Sequence, residues 1–335
     1  MEWIDRRVLK VLFAGACAVI LIAGARAVAD LLNPVLMAGF LALLLQPLLR
    51  RMRRFGVAAV FLLVLAVILG GLALVGFVGV SLRQVALELP VYREQLETLV
   101  ESVTRTLTER GINAAGYVES ALTGPAVAGT VLDVSGAVAG GFGGLVLTLF
   151  IFAFMLGGLW DMESRAGGDG SPKSPFEARY AEFSVSIRGY MAVRALLGLG
   201  TAILNYVLLL VVGVDYALLW AVLSFLLSFV PNIGFVLSML PPILLALLEH
   251  GWVEAVIVFA GYQLVNTLVD NVIGPRFIGR QMKISALLSF LSVLFWAWVL
   301  GPTGAILSVP LTVLIRDLIT TPRSGAAEPQ VAGSR

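Results

Sequence analysis

Two apolar stretches in the last third of the chain are each too long for one straight membrane crossing, and each is broken at its centre. The first runs Ala217–Leu248 and breaks at Pro231-Asn232-Ile233-Gly234; the second runs Ala286–Ile315 and breaks at Gly301-Pro302-Thr303-Gly304. Proline and glycine weaken the helix at these points and leave arms of about 15 residues, short of the ~17–25 that a crossing helix needs. Backbone that turns at membrane depth is tolerated only where it is buried in protein or lines a water-filled cavity. The spacing therefore predicts two helical hairpins that enter the membrane, turn inside it and leave by the side they entered. Paired interrupted segments of this kind point to a transporter's solute site.

Composition identifies the solvent. The 335 residues are 59% hydrophobic and 13% charged, where a soluble domain carries about 25% charged residues. Most of the chain is read as lying in a lipid bilayer. The net charge of +2 carries no nucleic-acid signal, because the basic residues sit beside the predicted spans. Cys17 is the only cysteine and forms neither an internal disulfide nor a thiolate metal site. The one histidine, His250, falls in a predicted outer turn, so a His-Glu-x-x-His zinc motif is absent. There is no Walker A sequence and no glycine-flanked serine with a usable base. The reading is a protein that is not an enzyme, with no cofactor and no metal.

In chain order, Val8–Leu32 is the first span, retained rather than cleaved because it is long and more spans follow. Arg26 and Asp30 lie one turn apart near its end, where they can pair or reach the interface. Asn33-Pro34 is expected to turn into a second span, Val35–Leu49. Arg50, Arg51, Arg53 and Arg54 then mark a cytoplasmic loop, which places the N-terminus on the same side. Val57–Val80 is the third span. In Leu82–Gly116, apolar Leu89, Tyr92, Leu96, Leu99, Val103 and Leu107 recur at helical spacing among charged residues. This predicts an amphipathic helix started by Pro90, either on the outer surface or in a seam between subunits. Thr123–Gly144 begins as an external linker and leads to a fourth span, Leu145–Trp160. Asp161–Lys173 reads as a flexible cytoplasmic loop. Ser174-Pro175-Phe176-Glu177 is a capping box opening a second amphipathic helix, with Phe176, Tyr180, Phe183, Ile187 and Tyr190 on the cytoplasmic surface. Ala195–Val212 is the fifth span, with Asn205 its one strongly polar residue, and Val253–Ile273 the sixth.

The predicted fold class is thus an all-α integral membrane protein of about six full transmembrane helices, two re-entrant hairpins and two amphipathic surface helices. Its divisions are N-terminal spans 1–81, an external amphipathic helix and linker 82–137, a fourth span 138–160, and a cytoplasmic loop and helix 161–194. A transport region 195–319 and a disordered-looking tail 320–335 complete it. If both broken segments re-enter, the loop with Arg276, Arg280 and Lys283 falls on the cytoplasmic side, as the charge rule prefers. The first hairpin then dips from outside, the second from inside, and both termini are cytoplasmic.

The sixth span carries the most informative polar set. Gln263, Asn266 and Asp270 lie at i, i+3 and i+7, on one helical face, with Thr267 and Asn271 beside it. An ionisable residue inside a span is costly and marks a functional candidate. Asp270 either contacts solute or ion, or caps the exposed backbone of a hairpin tip. Asn232 and Thr303 sit in the breaks and offer hydrogen bonds to a small polar solute. The candidate site is therefore Asn232, Gln263, Asn266, Asp270, Asn271 and Thr303. Pro231, Gly234, Gly301, Pro302 and Gly304 are read as shaping the breaks.

Several of these residues carry a family resemblance. They are Pro231-Asn232-Ile233-Gly234; Gln263 through Pro275, with Asp270-Asn271; Gly279-Arg280; and Gly301 through Pro310. In identity and spacing over about 100 residues, this region resembles the autoinducer-2 exporter (AI-2E) family, a permease-like family of bacterial membrane proteins. Ser285-Ala286 departs from the histidine-proline pair that many members have there. The resemblance implies a secondary transporter in the bacterial inner membrane, a homo-oligomer (a pentamer by family analogy), and an elevator-like movement of the hairpin region. Some relatives are linked to sodium/proton antiport. Three functions stand open: export of a small polar, autoinducer-2-like solute; cation/proton antiport using Asp270 with sodium or a proton; and an oligomeric membrane scaffold without transport.

Overall fold

The computed structural model describes residues 6–109, 143–161, 175–274, 276 and 285–320. The expected linker after Glu109, the loop after Asp161, the stretch with Arg280 and Lys283, and the tail beyond Thr320 lie outside the described residues. Among the described residues every regular element is helical and there is no strand. In chain order these are α1 (Arg6–Ala27), α2 (Ala29–Arg51), a 3-10 turn (Met52–Phe55) and α3 (Val57–Glu109). Then come α4 (Gly143–Asp161), α5 (Pro175–Val212), α6 (Ala217–Leu227), α7 (Ile233–Glu249) and α8 (Trp252–Asn266). A π-helical segment (Thr267–Ile273) continues α8, and α9 covers Ala286–Thr320.

Among the described residues six helices are long and apolar enough to cross a membrane: Ala29–Arg51, Val60–Tyr92, Gly143–Asp161, Ile187–Val212, Trp252–Ile273 and Leu287–Arg316. This makes the protein a multi-span membrane protein. The set differs from the expected one at its ends. In α1 the apolar run is only Leu12–Ala27, because Arg6, Arg7 and Lys10 occupy the first turns. Leu287–Arg316 qualifies by length, yet it is folded back on itself. Large apolar side chains face outward on most helices: Val211 is 81% exposed and Leu21 73%. A bilayer makes such exposure favourable; water does not.

Three expected boundaries are corrected. The turn between the first two helices falls at Val28, whose carbonyl accepts from the Leu31 and Leu32 amides, and Asn33-Pro34 lies inside α2. Arg26, one turn from Asp30, also lies over the Trp298 ring, 4.7 Å from its centroid. Pro90 does not start a helix: α3 runs unbroken for 53 residues, about 80 Å at 1.5 Å per residue. Its continuity follows from packing. Val78, Ser81, Val85 and Tyr92 are buried at spacings that keep one face in register through Pro90, and three of them join the core built on α6, α7 and α8. The second expected amphipathic helix is likewise part of a longer element, α5. Its Ile187 and Met191 are buried with Phe40 and Leu307, while the side chains of Phe176, Tyr180 and Phe183 lie outside the described residues.

Both broken segments form hairpins. In the first, α6 and α7 are joined by the turn Ser228–Asn232, with Asn232 at φ 63°. Leu219 and Trp220 near the start of α6 share a core with Leu245 and Ala246 near the end of α7. The Asp215 amide donates to Glu249 Oε2 at 3.1 Å, so the two ends of the hairpin meet. In the second, α9 bends back at Gly301 (φ 66°, ψ −149°). Trp296 Nε1 donates to Thr312 Oγ1 at 3.0 Å, though these residues would stand about 24 Å apart along a straight helix. Gly234 and Gly304 occupy equivalent places. A Cβ on Gly234 would overlap the Leu227 carbonyl, and one on Gly304 the Trp296 carbonyl. The two hairpins approach through Phe229, in the first turn, which joins the cluster of Ile306, Leu307 and Leu311 on the second hairpin's return arm.

Candidate functional site

The turn of the first hairpin ends a helix, and a helix end leaves carbonyls without intrahelical partners. Local amides serve the carbonyls of Leu226, Leu227, Val230 and Pro231. The Ser228 carbonyl is served from another element: Arg194 of α5 donates to it through Nε at 2.6 Å. The same guanidinium donates through Nη1 to Asp270 Oδ1 at 2.7 Å, with the two side chains 13% and 36% exposed. Arg194 thus ties the hairpin tip on one side to the π-helical segment on the other. Its charge also lies at the C-terminal end of α6, where a helix favours a cation.

Around this pair is a cavity of about 270 Å³. Its wall comes from Arg194, Gly198 and Thr201 of α5, from Ser224, Ser228, Val230 and Asn232 of the first hairpin's outgoing arm and turn, from Phe235 and Ser238 of α7, and from Asn266, Asp270 and Asn271. Hydroxyls, amides and one balanced ion pair dominate it. Behind Ser224 lies a buried polar cluster. Asn205 Nδ2 is 3.4 Å from Ser224 Oγ, while Asn205 Oδ1 and the Tyr262 hydroxyl are buried with no hydrogen-bond partner among the described residues. Asn205 therefore meets a neighbouring helix.

Of the expected site residues, Asn232, Asn266, Asp270 and Asn271 line this cavity. Gln263 is exposed on α8, and Thr303 is half-buried at the break of the second hairpin, outside the cavity wall. The π-helix explains why Asp270 and Asn271 both belong to the wall. Hydrogen bonds from i to i+5 rotate the chain so that residues four and five apart share a side. Asp270 and Asn271 therefore both come onto the side of Asn266, and the straight α-helical face that included Gln263 is abandoned. The break of the second hairpin is held elsewhere: Asn33 Nδ2 donates to the Leu300 carbonyl at 3.1 Å. Arg194, Thr201, Ser224, Ser228 and Ser238 are the polar members that the sequence did not single out. Arg194 had one legible signal, being the only charged residue from Met191 to Val212.

A second polar cluster closes the open end of the first hairpin. The Tyr92 hydroxyl lies 3.2 Å from Glu88 Oε2 and 3.2 Å from Glu249 Oε1. His250 Nδ1 is 3.8 Å from Glu249 Oε2. Burial above all raises the Glu249 carboxyl over its ordinary value, against the lowering effect of the Asp215 amide. Tyr216 is pushed up to about 12, first by burial and then by its hydrogen bond with Glu88.

A multi-span helical protein with interrupted helices around a polar cavity has the architecture of a membrane transporter. Residues 16–323 match the family of AI-2E family transporters. The AI-2 transport protein TqsA of Escherichia coli strain K12 is 30% identical over 321 residues, covering 92% of this chain and 91% of that protein. YhhT of the same strain, whose name proposes transport without a solute, is 30% identical over 339 residues, covering 96% and 93%. The chain belongs to the AI-2E transporter family.

Proposed function

We propose that this protein is a secondary exporter of a small polar solute, and that the cavity beside the Arg194–Asp270 pair is its solute site. The observation that carries the reading is that cavity: polar, bounded by irregular backbone at the hairpin turn on one side and the π-segment on the other. Its volume of about 270 Å³ suits a small solute. The similarity to TqsA makes an autoinducer-2-like molecule the first solute to try. In this reading both hairpins turn within the membrane, the first entering from outside and the second from the cytoplasm. The termini are cytoplasmic, the membrane is the bacterial inner membrane, and the assembly is a homo-oligomer, pentameric by family analogy. An elevator-like movement of the hairpin region carries the solute across. Cation/proton antiport through Asp270 is weaker, because Arg194 already balances the carboxylate and leaves no surplus negative charge to hold a cation. A scaffold without transport gives the polar cavity no use.

The test is solute flux in proteoliposomes. Autoinducer-2 counterflow is expected with wild-type protein. Asp270→Asn is expected to slow it by about tenfold or more, the scale of one lost charge-assisted hydrogen bond. Unchanged flux in the variant would remove Asp270 from the site. Sodium movement driven by a pH gradient with no organic solute present would replace export with antiport.

A further inference from the structure

We infer that Arg194 is the positioning residue that latches the tip of the first hairpin over the cavity, holding it shut by engaging Ser228 and Asp270 at the same time. Its place in a transport cycle rests on the reading above; the latch itself rests on geometry. The turn Ser228–Asn232 is short of partners by construction. Its amides at Val230, Ile233 and Gly234 bond only to carbonyls within or beside the turn, so these bonds do not fasten the tip to the rest of the protein. Arg194 supplies a polar fastening from outside the hairpin, through Nε to the Ser228 carbonyl at 2.6 Å. That nitrogen is aimed by the other end of the guanidinium, which Asp270 holds at 2.7 Å. A planar guanidinium serves two acceptors in fixed directions, which a lysine ammonium on a flexible stem does not. The latch therefore has three members in series: carboxylate on the π-segment, guanidinium on α5, carbonyl on the tip.

Two consequences separate a latch from a merely structural ion pair. Removing Asp270 should loosen the tip because Arg194, which Asp270 holds, loses its aim. The losses should also fail to add, since the three groups act as one unit. A solute with a hydrogen-bond acceptor that draws the guanidinium away from either partner would open the tip, which links occupancy of the cavity to movement of the hairpin.

The experiment is amide hydrogen exchange on the full-length protein in lipid nanodiscs, read at the peptide that carries Val230, Ile233 and Gly234. Arg194→Gln is expected to speed exchange there by about tenfold or more. Asp270→Asn should speed it too, the double variant should be no faster than Arg194→Gln alone, and Arg194→Lys should fall between wild type and Arg194→Gln. The stretch of α8 around the fully buried Val258 should exchange as in wild type, which shows that the bundle is intact. Tip exchange at the wild-type rate in Arg194→Gln would overturn the latch, and so would additive losses in the double variant. No solute is needed, so the two readings fail separately. A loosened tip with no flux in proteoliposomes contradicts transport and keeps the latch; normal flux with an unchanged tip does the reverse.

Discussion

Gly234 and Gly304 are where the two hairpins turn back against their own outgoing arms, and in both places a methyl group would run into a backbone carbonyl. Backbone yields less readily than a side chain. Gly304→Ala is therefore expected to destabilise the protein by about 1–3 kcal/mol, the usual cost of overpacking. Gly15→Ala, where no atom lies within 4 Å, should stay within about 0.5 kcal/mol. Unfolding monitored by helical circular dichroism checks both, and equal stability of the two variants would contradict the close approach. At this scale the breaks were legible, because proline and glycine declare themselves without a partner. Asn232, Asn266, Asp270 and Asn271 were legible as polar residues in apolar surroundings. Arg194 was legible only as an isolated charge and not as a site residue, because it sits at the seam where an amphipathic pattern gives way to an apolar one, and a basic residue there looks like an ordinary interfacial anchor. Only the fold brings it to a carbonyl 34 residues away.

Helix continuity was the part of the fold that local pattern misjudged. Polar residues enter the sequence at Arg83 and Gln84, and Pro90 follows, so a new helix looked required. One proline removes one hydrogen-bond donor; the continuous seam of Val78, Val85 and Tyr92 on the first hairpin outweighs it. The same seam ends on the Tyr92 cluster, which makes a prediction about pH. A single phenolic hydrogen faces two carboxylate oxygens, on Glu88 and Glu249, so the contact is satisfied on both sides only when one carboxyl is protonated. Asp215, Tyr216 and His250 are the other titratable groups around Glu249. The Glu249 carboxyl is raised above its ordinary 4.5, chiefly by burial. The folded state therefore holds this proton more tightly than the unfolded state does. Its stabilising contribution is complete below 4.5 and is lost as pH rises through the raised value. Glu249→Gln cannot ionise, so wild type should lose melting temperature relative to the variant as pH climbs through that window. Parallel melting curves across it would contradict the shared proton.

For the molecule as a whole, composition alone settled that the chain belongs in a bilayer, and the charge of its loops set an expected topology. That each broken segment folds back on itself was legible because lengths and breaks constrain it. The company of the hairpins was not. The first hairpin packs between α5 and α8 and closes a polar cavity with the π-segment, whereas the second leans on α1 and α2 through Trp298 and Asn33. A π-helical insertion and a long-range arginine contact decide which polar residues share a space, and neither leaves a periodic trace. The account's central claim is that this shared space lies on a solute path across the membrane. The most direct test is labelling of Asn266→Cys, in a Cys17→Ser background, with a membrane-impermeant thiol reagent added from one side at a time. Labelling from both sides, slowed by autoinducer-2, is the predicted result. A cysteine at this position that reacts from neither side, or from one side only whatever the solute, would contradict the account.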